Sequence, residues 1–273
     1  KEIINNIREN KYNNADEIIL DQNLLALQEV IKNMFMKTKG DIDYLERLQQ
    51  MRSQFLANVS HELRTPIFTI QGFIETLLNG AVNDPKVNIQ FLQKANQHTI
   101  NLSNLLNDLI DISMIESGEM RMSFRYFKLK EFLKTLLQEQ KSLADAKNIE
   151  LKMNTFDDDL TLFGDKDKLK QVMINLIQNA IKYTEKGSVE ISVEEESKFA
   201  KITIRDTGIG IPDKDLDRIF ERFYRVDKAR SRAVGGTGLG LAIVKHIVEA
   251  HNSEIYVKSE LNKGSEFSFR LRK

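Results

Sequence analysis

The sequence predicts two architectures in one chain. An all-α helical hairpin, which completes a four-helix bundle by dimerising, precedes a two-layer α+β sandwich. Three observations point there. Apolar residues recur at three- and four-residue spacing as far as Glu116, with one interruption at residues 79–85. After Ser117-Gly118 that period gives way to short strand-like runs alternating with helical ones. Strings rich in asparagine or glycine then fall at the ends of those strands and helices, where a ligand could approach the backbone.

Residues Lys1 to Asn13 form a short amphipathic stretch carrying Ile3, Ile4 and Ile7. From Asp16 a seam runs through Leu20, Leu24, Leu27, Ile31, Met34 and Phe35. It continues through Ile42, Leu45, Leu48, Phe55, Leu56, Val59, Leu63, Ile67, Ile70, Ile74 and Leu77. Such length is that of a coiled coil feeding a bundle. Pro66 deprives its turn of one backbone bond and is expected to bend the helix. Asn79-Gly80 and Asn83-Asp84-Pro85 mark a hairpin turn. A second helix over Lys86–Glu116 follows, with Phe91, Leu92, Ala95, Leu102, Leu105, Leu106, Leu109 and Ile112 as its seam. One hairpin cannot bury both apolar faces, so a homodimer is expected; the alternative is a bundle formed with the N-terminal helices of the same chain.

Beyond Gly118 strands are expected near Met120–Phe124, Ile149–Asn154, Thr161–Phe163, Ser188–Glu195, Phe199–Asp206, Glu254–Ser259 and Gly264–Arg270. Helices are expected over Leu129–Lys147, Lys166–Thr184 and Thr237–Ala250, with a long irregular segment before the last. The division is therefore a helical linker over residues 1–50, the hairpin over 51–117 and the sandwich over 118–273.

Forty lysines and arginines balance forty acids, and a nucleic-acid binder would carry a basic excess. The absence of cysteine removes disulfides, thiolate metal sites and a thiol nucleophile together. No apolar run reaches the roughly 20 residues that span a bilayer, and no signal peptide opens the chain. Lys1 in first place suggests a fragment, which leaves room for a membrane anchor upstream. Histidine chemistry has only His61, His98, His246 and His251 to draw on.

Residues 55–67 read FLANVSHELRTPI. His61 lies two positions from both Val59 and Leu63, off their stripe, and is expected to face solvent. Glu62 adjoins it, and Thr65 lies one turn on along the same face. An exposed neutral imidazole is a competent nucleophile when a carboxylate orients it or takes its proton. A lone helical histidine is more often an ordinary surface residue. The whole string, however, resembles the phosphoacceptor box of sensor histidine kinases. That resemblance implies phosphorylation of His61, with Glu62 as base. It further implies that Glu62 and Thr65 help to remove phosphate from a partner protein. His98, His246 and His251 lack this context and read as structural or surface residues.

Four more strings follow. In QVMINLIQNAIKYT, residues 171–184, Asn175 and Asn179 sit one turn apart on a helix, a spacing that suits magnesium and phosphate oxygens but equally an ordinary polar face. In DTGIGIP, residues 206–212, Gly208 and Gly210 permit a tight turn, and Asp206 can accept from an exocyclic amine such as adenine N6. The segment IFERFYRVDKARSR, residues 219–232, joins aromatic anchors Phe220, Phe223 and Tyr224 to Arg222, Arg225, Lys228, Arg230 and Arg232, as a lid over a polyphosphate would. In GGTGLGLAIVKHI, residues 235–247, glycines open a helix whose free amides favour phosphate. The spacing is neither a Walker A loop nor a Rossmann turn.

In this order the strings resemble the N, G1, F and G2 boxes of the histidine kinase catalytic domain, which has the Bergerat (GHKL) fold shared with DNA gyrase and MutL. The resemblance covers about residues 50–273. It implies ATP and Mg²⁺ as cofactors, with Asn179 on the metal and Asn175 along the phosphates. Lys182 and Tyr183 would border the nucleotide, and Asp206 would read adenine. Gly208, Gly210, Gly236, Thr237, Gly238, Leu239 and Gly240 would shape the pocket and lid, with Arg222 and Arg225 as lid cations. The closing GSEFSF resembles the family's last strand. NIRENKYNN resembles the end of a HAMP-type module, although a plain linker fits as well. The implied partners are a second copy and a response-regulator receiver domain, and the implied place is the cytoplasmic portion of a membrane-anchored bacterial sensor. A gyrase- or MutL-like ATPase would share the nucleotide boxes without needing SHELRTP, and an inactive coiled-coil scaffold would need neither.

Overall fold

A computed structural model describes residues 25–226 and 236–273, together with Asn6. The expectations for Ile3, Ile4, Ile7, Leu20 and Leu24, and for Lys228, Arg230, Arg232 and Gly235, lie outside these described residues.

Helix α1 spans Leu25–Leu78, and α2 spans Asn88–Glu116. Residues up to His61 form one compact unit and those from Glu62 onward another. In the first unit the seam residues Met34, Leu45 and Leu48 are exposed on a single helix, while Phe35 is buried. In the second, α1 continues unbroken through Pro66, which has no N–H to offer the carbonyl of Glu62. The hairpin turns at Gly80, whose φ of +114° an L side chain rarely adopts. A short 3₁₀ turn over Ala81–Asn83 follows, and the Asp84 carboxylate then accepts from the Lys86 N–H at 2.9 Å. Phe73 of α1 meets Phe91 of α2 with ring centroids 5.5 Å apart, and His98 packs against the same ring.

Among the described residues, the remainder is a seven-stranded sheet with three helices packed against it. Its strands are β1 (Arg125–Lys128), β2 (Ile149–Met153), β3 (Thr161–Gly164), β4 (Gly187–Glu195), β5 (Phe199–Asp206), β6 (Tyr256–Glu260) and β7 (Gly264–Arg272). Their order is β1-β3-β7-β5-β4-β2, with β6 also paired to β7. Among the described residues only β2 with β4 is parallel. The helices are α3 (Leu129–Asp145), α4 (Lys166–Tyr183) and α5 (Gly240–Ala250). Register explains the layering. Val193 faces Ile202 and Ile202 faces Phe269, while Ile191 faces Ile204 and Ile204 faces Phe267. These side chains are buried, whereas Glu190 and Glu194, which flank Ile191 and Val193 on β4, are exposed. Helix α4 contributes Leu169, Val172, Met173, Leu176 and Ile177 to the core, each roughly 1.5–3 kcal/mol of burial. Helix α5 adds Ile243, Val244 and Ile247.

Two expected elements are displaced. The strand expected near Met120–Phe124 forms instead at Arg125–Lys128. The backbone of the earlier residues is engaged elsewhere: the Met120 N–H closes the end of α2 on Met114, and the Ser123 N–H goes to Asp165 at 2.7 Å. The last helix starts at Gly240 rather than Thr237, because Gly238 has a φ of +74° and breaks the helical path.

Candidate nucleotide and phosphoacceptor sites

His61 is exposed on α1, while Phe55, Val59 and Leu63 along the seam are half-buried. The helical register thus turns the imidazole off the stripe, as the spacing requires. In the unit that follows, Glu62 is half-buried and Thr65 exposed, and the Thr65 carbonyl accepts from the Thr69 hydroxyl at 2.8 Å. The other three histidines have structural surroundings. The His251 Nε2 accepts from the Asp165 N–H at 2.9 Å, which leaves Nδ1 to donate to the Ile247 carbonyl at 2.7 Å. His246 faces Glu249 on its own helix, and His98 packs on Phe73.

Helix α4 starts on a strong cap. Asp165 accepts from the N–H groups of Asp167 and Lys168, both at 3.1 Å, as well as from Ser123. From that fixed start the helix presents Asn175 and Asn179, both half-buried. Gly240 makes room for the first of them: a Cβ there would stand 2.9 Å from the Asn175 amide oxygen. Among the described residues no protein group bonds the Asn179 amide. At the far end of α4 the Lys182 ammonium lies 4.9 Å from the centre of the Tyr183 ring, and a Cβ on Gly236 would fall 2.4 Å from it. Burial, then Arg225, then Lys147 push the Lys182 pKa down to about 8. Burial raises the Tyr183 hydroxyl above its ordinary value.

Asp206 ends β5 on the same face as Ile202 and Ile204, so a carboxylate sits on the apolar side of the sheet. It is 6% exposed. Its Oδ1 accepts from the Gly208 N–H at 2.8 Å and the Ser265 N–H at 3.2 Å. Burial raises its pKa against those two hydrogen bonds. Among the described residues Oδ2 has no hydrogen-bond partner. Close backbone packing surrounds it. A Cβ on Gly208 would meet the Tyr183 carbonyl at 2.5 Å, and one on Gly264 the Asp206 carbonyl at 1.9 Å. Gly210, with a φ of +67°, would meet Glu260 at 2.1 Å.

The described part of the segment expected to form a lid is rooted by its aromatics. Phe220 packs edge-on against Phe267, and the Phe223 N–H donates to the Gly238 carbonyl at 2.9 Å. The Tyr224 hydroxyl donates to Asp215 at 2.6 Å. Arg222, Arg225 and Thr237 are half-buried. The Leu239 side chain is fully buried, so only its backbone, which donates to the Thr237 hydroxyl at 3.2 Å, faces the loop. The structure therefore brings α4, the end of β5, residues 220–226 and the start of α5 close together. It offers amide oxygens, a buried carboxylate, two or more cations and exposed backbone, a set suited to a purine joined to a polyphosphate.

Residues 51–118 match the His Kinase A (phospho-acceptor) domain. Residues 164–273 match the histidine kinase-, DNA gyrase B- and HSP90-like ATPase domain. The chain belongs to the histidine kinase family. The sensor histidine kinase WalK of Bacillus subtilis (strain 168) is 39% identical over 234 residues, covering 85% of this chain and 38% of the relative. The chain thus spans well under half of that relative's length. Among solved structures, histidine kinase ThkA in complex with response regulator protein TrrA is 28% identical with a TM-score of 0.65, covering 87% of this chain and 66% of that one. Full-length ShkA in complex with AMPPNP is 26% identical with a TM-score of 0.60, covering 81% of this chain and 46% of that one.

Several groups in this chain carry no sequence signal. The Lys147 ammonium closes the end of α4 on the carbonyls of Ile181 (3.0 Å) and Lys182 (2.7 Å). Asp215 holds Tyr224 from nine residues away. Asp108, Asp111 and Glu116 reach from α2 to the catalytic lobe. A motif search passes over such residues because their partners are set only by folding.

Proposed function

We propose that this chain is the core of a sensor histidine kinase that moves the γ-phosphoryl group of ATP onto His61 and then onto an aspartate of a response-regulator receiver domain. The observation that carries the reading is an exposed histidine in a matched phosphoacceptor hairpin, on the same chain as a cleft built from the matched ATPase domain. The hairpin over residues 51–117 is the dimerising phosphotransfer domain, 118–273 the catalytic domain and 1–50 the signalling linker.

Asp206 takes the adenine amine on Oδ2. Tyr183 borders the base, and Asn175, Lys182, Arg222, Arg225 and the glycine-rich start of α5 surround the phosphates. The Asn179 amide oxygen is a hard donor that would hold Mg²⁺, and the ion would neutralise phosphate charge when bound. A neutral His61 nitrogen attacks the γ-phosphorus, the bond to the β–γ bridging oxygen breaks, and ADP leaves. Glu62 takes the imidazole proton. Positioning and charge neutralisation do most of the catalytic work. In the second step the receiver carboxylate attacks the phosphohistidine, the P–N bond breaks and His61 is regenerated. Glu62 and Thr65 then assist water in removing phosphate from the receiver aspartate. ATP is a cytoplasmic substrate, which places this core on the cytoplasmic side of a membrane-anchored sensor.

Incubation with γ-³²P ATP is expected to label the wild-type chain with an acid-labile, alkali-stable phosphoryl group. His61→Gln is expected to abolish that label. Label at the wild-type level in the variant would sink the phosphoacceptor assignment.

A further inference from the structure

One face of α2 is seated on the catalytic lobe. Ile112 and Leu105 on that face are 0% and 3% exposed, and α2 packs against α5. Polar contacts ring this apolar centre. Asp111 accepts from the Lys168 ammonium at 2.8 Å with one oxygen and from the Gln171 amide at 2.6 Å with the other. The Thr237 hydroxyl donates to Asp108 at 3.1 Å, and Arg222 pairs with Glu116. Lys168 and Gln171 lie early on α4. Thr237 and Arg222, by contrast, belong to the glycine-rich start of α5 and to the lid.

Asp108 and Glu116 stand where phosphate oxygens could stand, since hydroxyl and guanidinium donors receive both in the same way. The Thr237 hydroxyl has a single proton to donate. Asp108 is half-buried, and burial, partly offset by the Thr237 bond and reinforced by Asp111, raises its pKa to about 6. A polyphosphate arriving beside Asp108 and Glu116 would add like charge to a partly desolvated site.

We propose that this acidic face of α2 is a docking surface for the chain's own nucleotide-binding lobe, and that docking and nucleotide binding exclude one another because α2 carboxylates occupy the donors that the phosphates need. The inference rests on the nucleotide reading above. Linkage makes the exclusion reciprocal: whatever loosens the dock tightens nucleotide, and nucleotide loosens the dock. Release would free the lobe to carry its phosphoryl group elsewhere, so one event would couple ATP loading to domain movement.

The pair Asp111–Lys168 tests this outside the nucleotide-binding residues. Binding of AMPPNP with magnesium to the full chain would be measured by calorimetry for Asp111→Lys, Lys168→Glu and the two combined. Each single variant puts like charges across the dock, weakens it and is expected to bind about five- to tenfold tighter, within the usual range of site-to-site coupling. Lys168→Glu is the diagnostic one, because its added negative charge alone would weaken binding of a polyphosphate. The combined swap restores an ion pair and is expected to return affinity to the wild-type value, which also shows that the fold survives. Wild-type affinity or weaker binding in Lys168→Glu, or a swap that fails to restore the wild-type value, overturns the inference. Failure of the wild-type chain to bind AMPPNP at all would overturn the nucleotide reading itself.

Discussion

The charge on Lys182 depends on what lies beside it. In the nucleotide-free cleft, burial and then the charges of Arg225 and Lys147 hold its pKa down to about 8. A nearby polyphosphate favours the ammonium form and raises that pKa. At neutral pH the group is charged in both states, so nucleotide affinity is flat there. Above pH 8 the empty site is neutral at Lys182 and must take up a proton on binding. Affinity therefore falls as pH rises, by up to about tenfold per pH unit, until the bound-state pKa is passed. Calorimetry with AMPPNP at pH 8.5 in buffers of different ionisation enthalpy is expected to show proton uptake. Lys182→Gln is expected to bind more weakly at neutral pH and to lose this slope; an unchanged slope in that variant would place the titration elsewhere. Asp206 shows the opposite balance. Burial raises its pKa, but two backbone N–H groups hold Oδ1 in place. The carboxylate is thus fixed before any base arrives, and little ordering entropy remains to be lost on binding.

At the scale of elements, α4 matters most, because it carries Asn175, Asn179, Lys182 and Tyr183 on one rigid rod. Its direction is set by Asp165, which gathers the N–H groups of Ser123, Asp167 and Lys168. Burial pushes the Asp165 carboxyl up, but those three donors and nearby His251 outweigh it and hold its pKa below the usual value. The sign follows: a lowered folded-state pKa supplies stability above the unfolded-state pKa, which is lost as pH falls through the folded one. Asp165→Ala is expected to cost about 2 kcal/mol in urea denaturation at neutral pH, the upper end for a helix cap. A loss below about 0.5 kcal/mol, the lower end of that range, would mean that water replaces the cap. Strict alternation made β4 and β5 readable in the sequence nearly to the residue, since period 2 with one wet face has few alternatives. Met120, Met122 and Phe124 alternate in the same way, yet they are not a strand. Their backbone is used by the end of α2 and by Asp165, which lies 42 residues from Ser123. The same limit applies to the cleft. Asn175, Asn179, Asp206 and the glycines stand in contiguous strings and were legible. Lys147 and Asp111 act through partners 34 and 57 residues away, which no local pattern announces.

For the whole molecule the unresolved account is that of apolar surface. One face of α2 is spent on the catalytic lobe, through Leu105 and Ile112. The opposite side leaves Leu106, Ile110 and Met114 between 44% and 53% exposed. On α1 an open apolar groove of about 510 Å³ runs along Ile67, Ile70 and Ile74, edged by Gln71 and Glu75. Those positions repeat at three- and four-residue spacing, the pattern of a helix seam that expects another helix. A contiguous exposed stripe of this kind marks an association surface, and the hairpin's two-fold repetition in a second copy would cover it with identical residues. The chain weighs 31.5 kDa, so light scattering on a sizing column is expected to give twice that mass. Ile70→Glu with Ile74→Glu is expected to shift the mass to that of one chain while leaving AMPPNP binding intact, because the nucleotide cleft is built entirely from residues beyond Leu169. A double variant that stays dimeric would move the interface off this groove, and a wild-type chain of single mass would remove the four-helix bundle from the proposal.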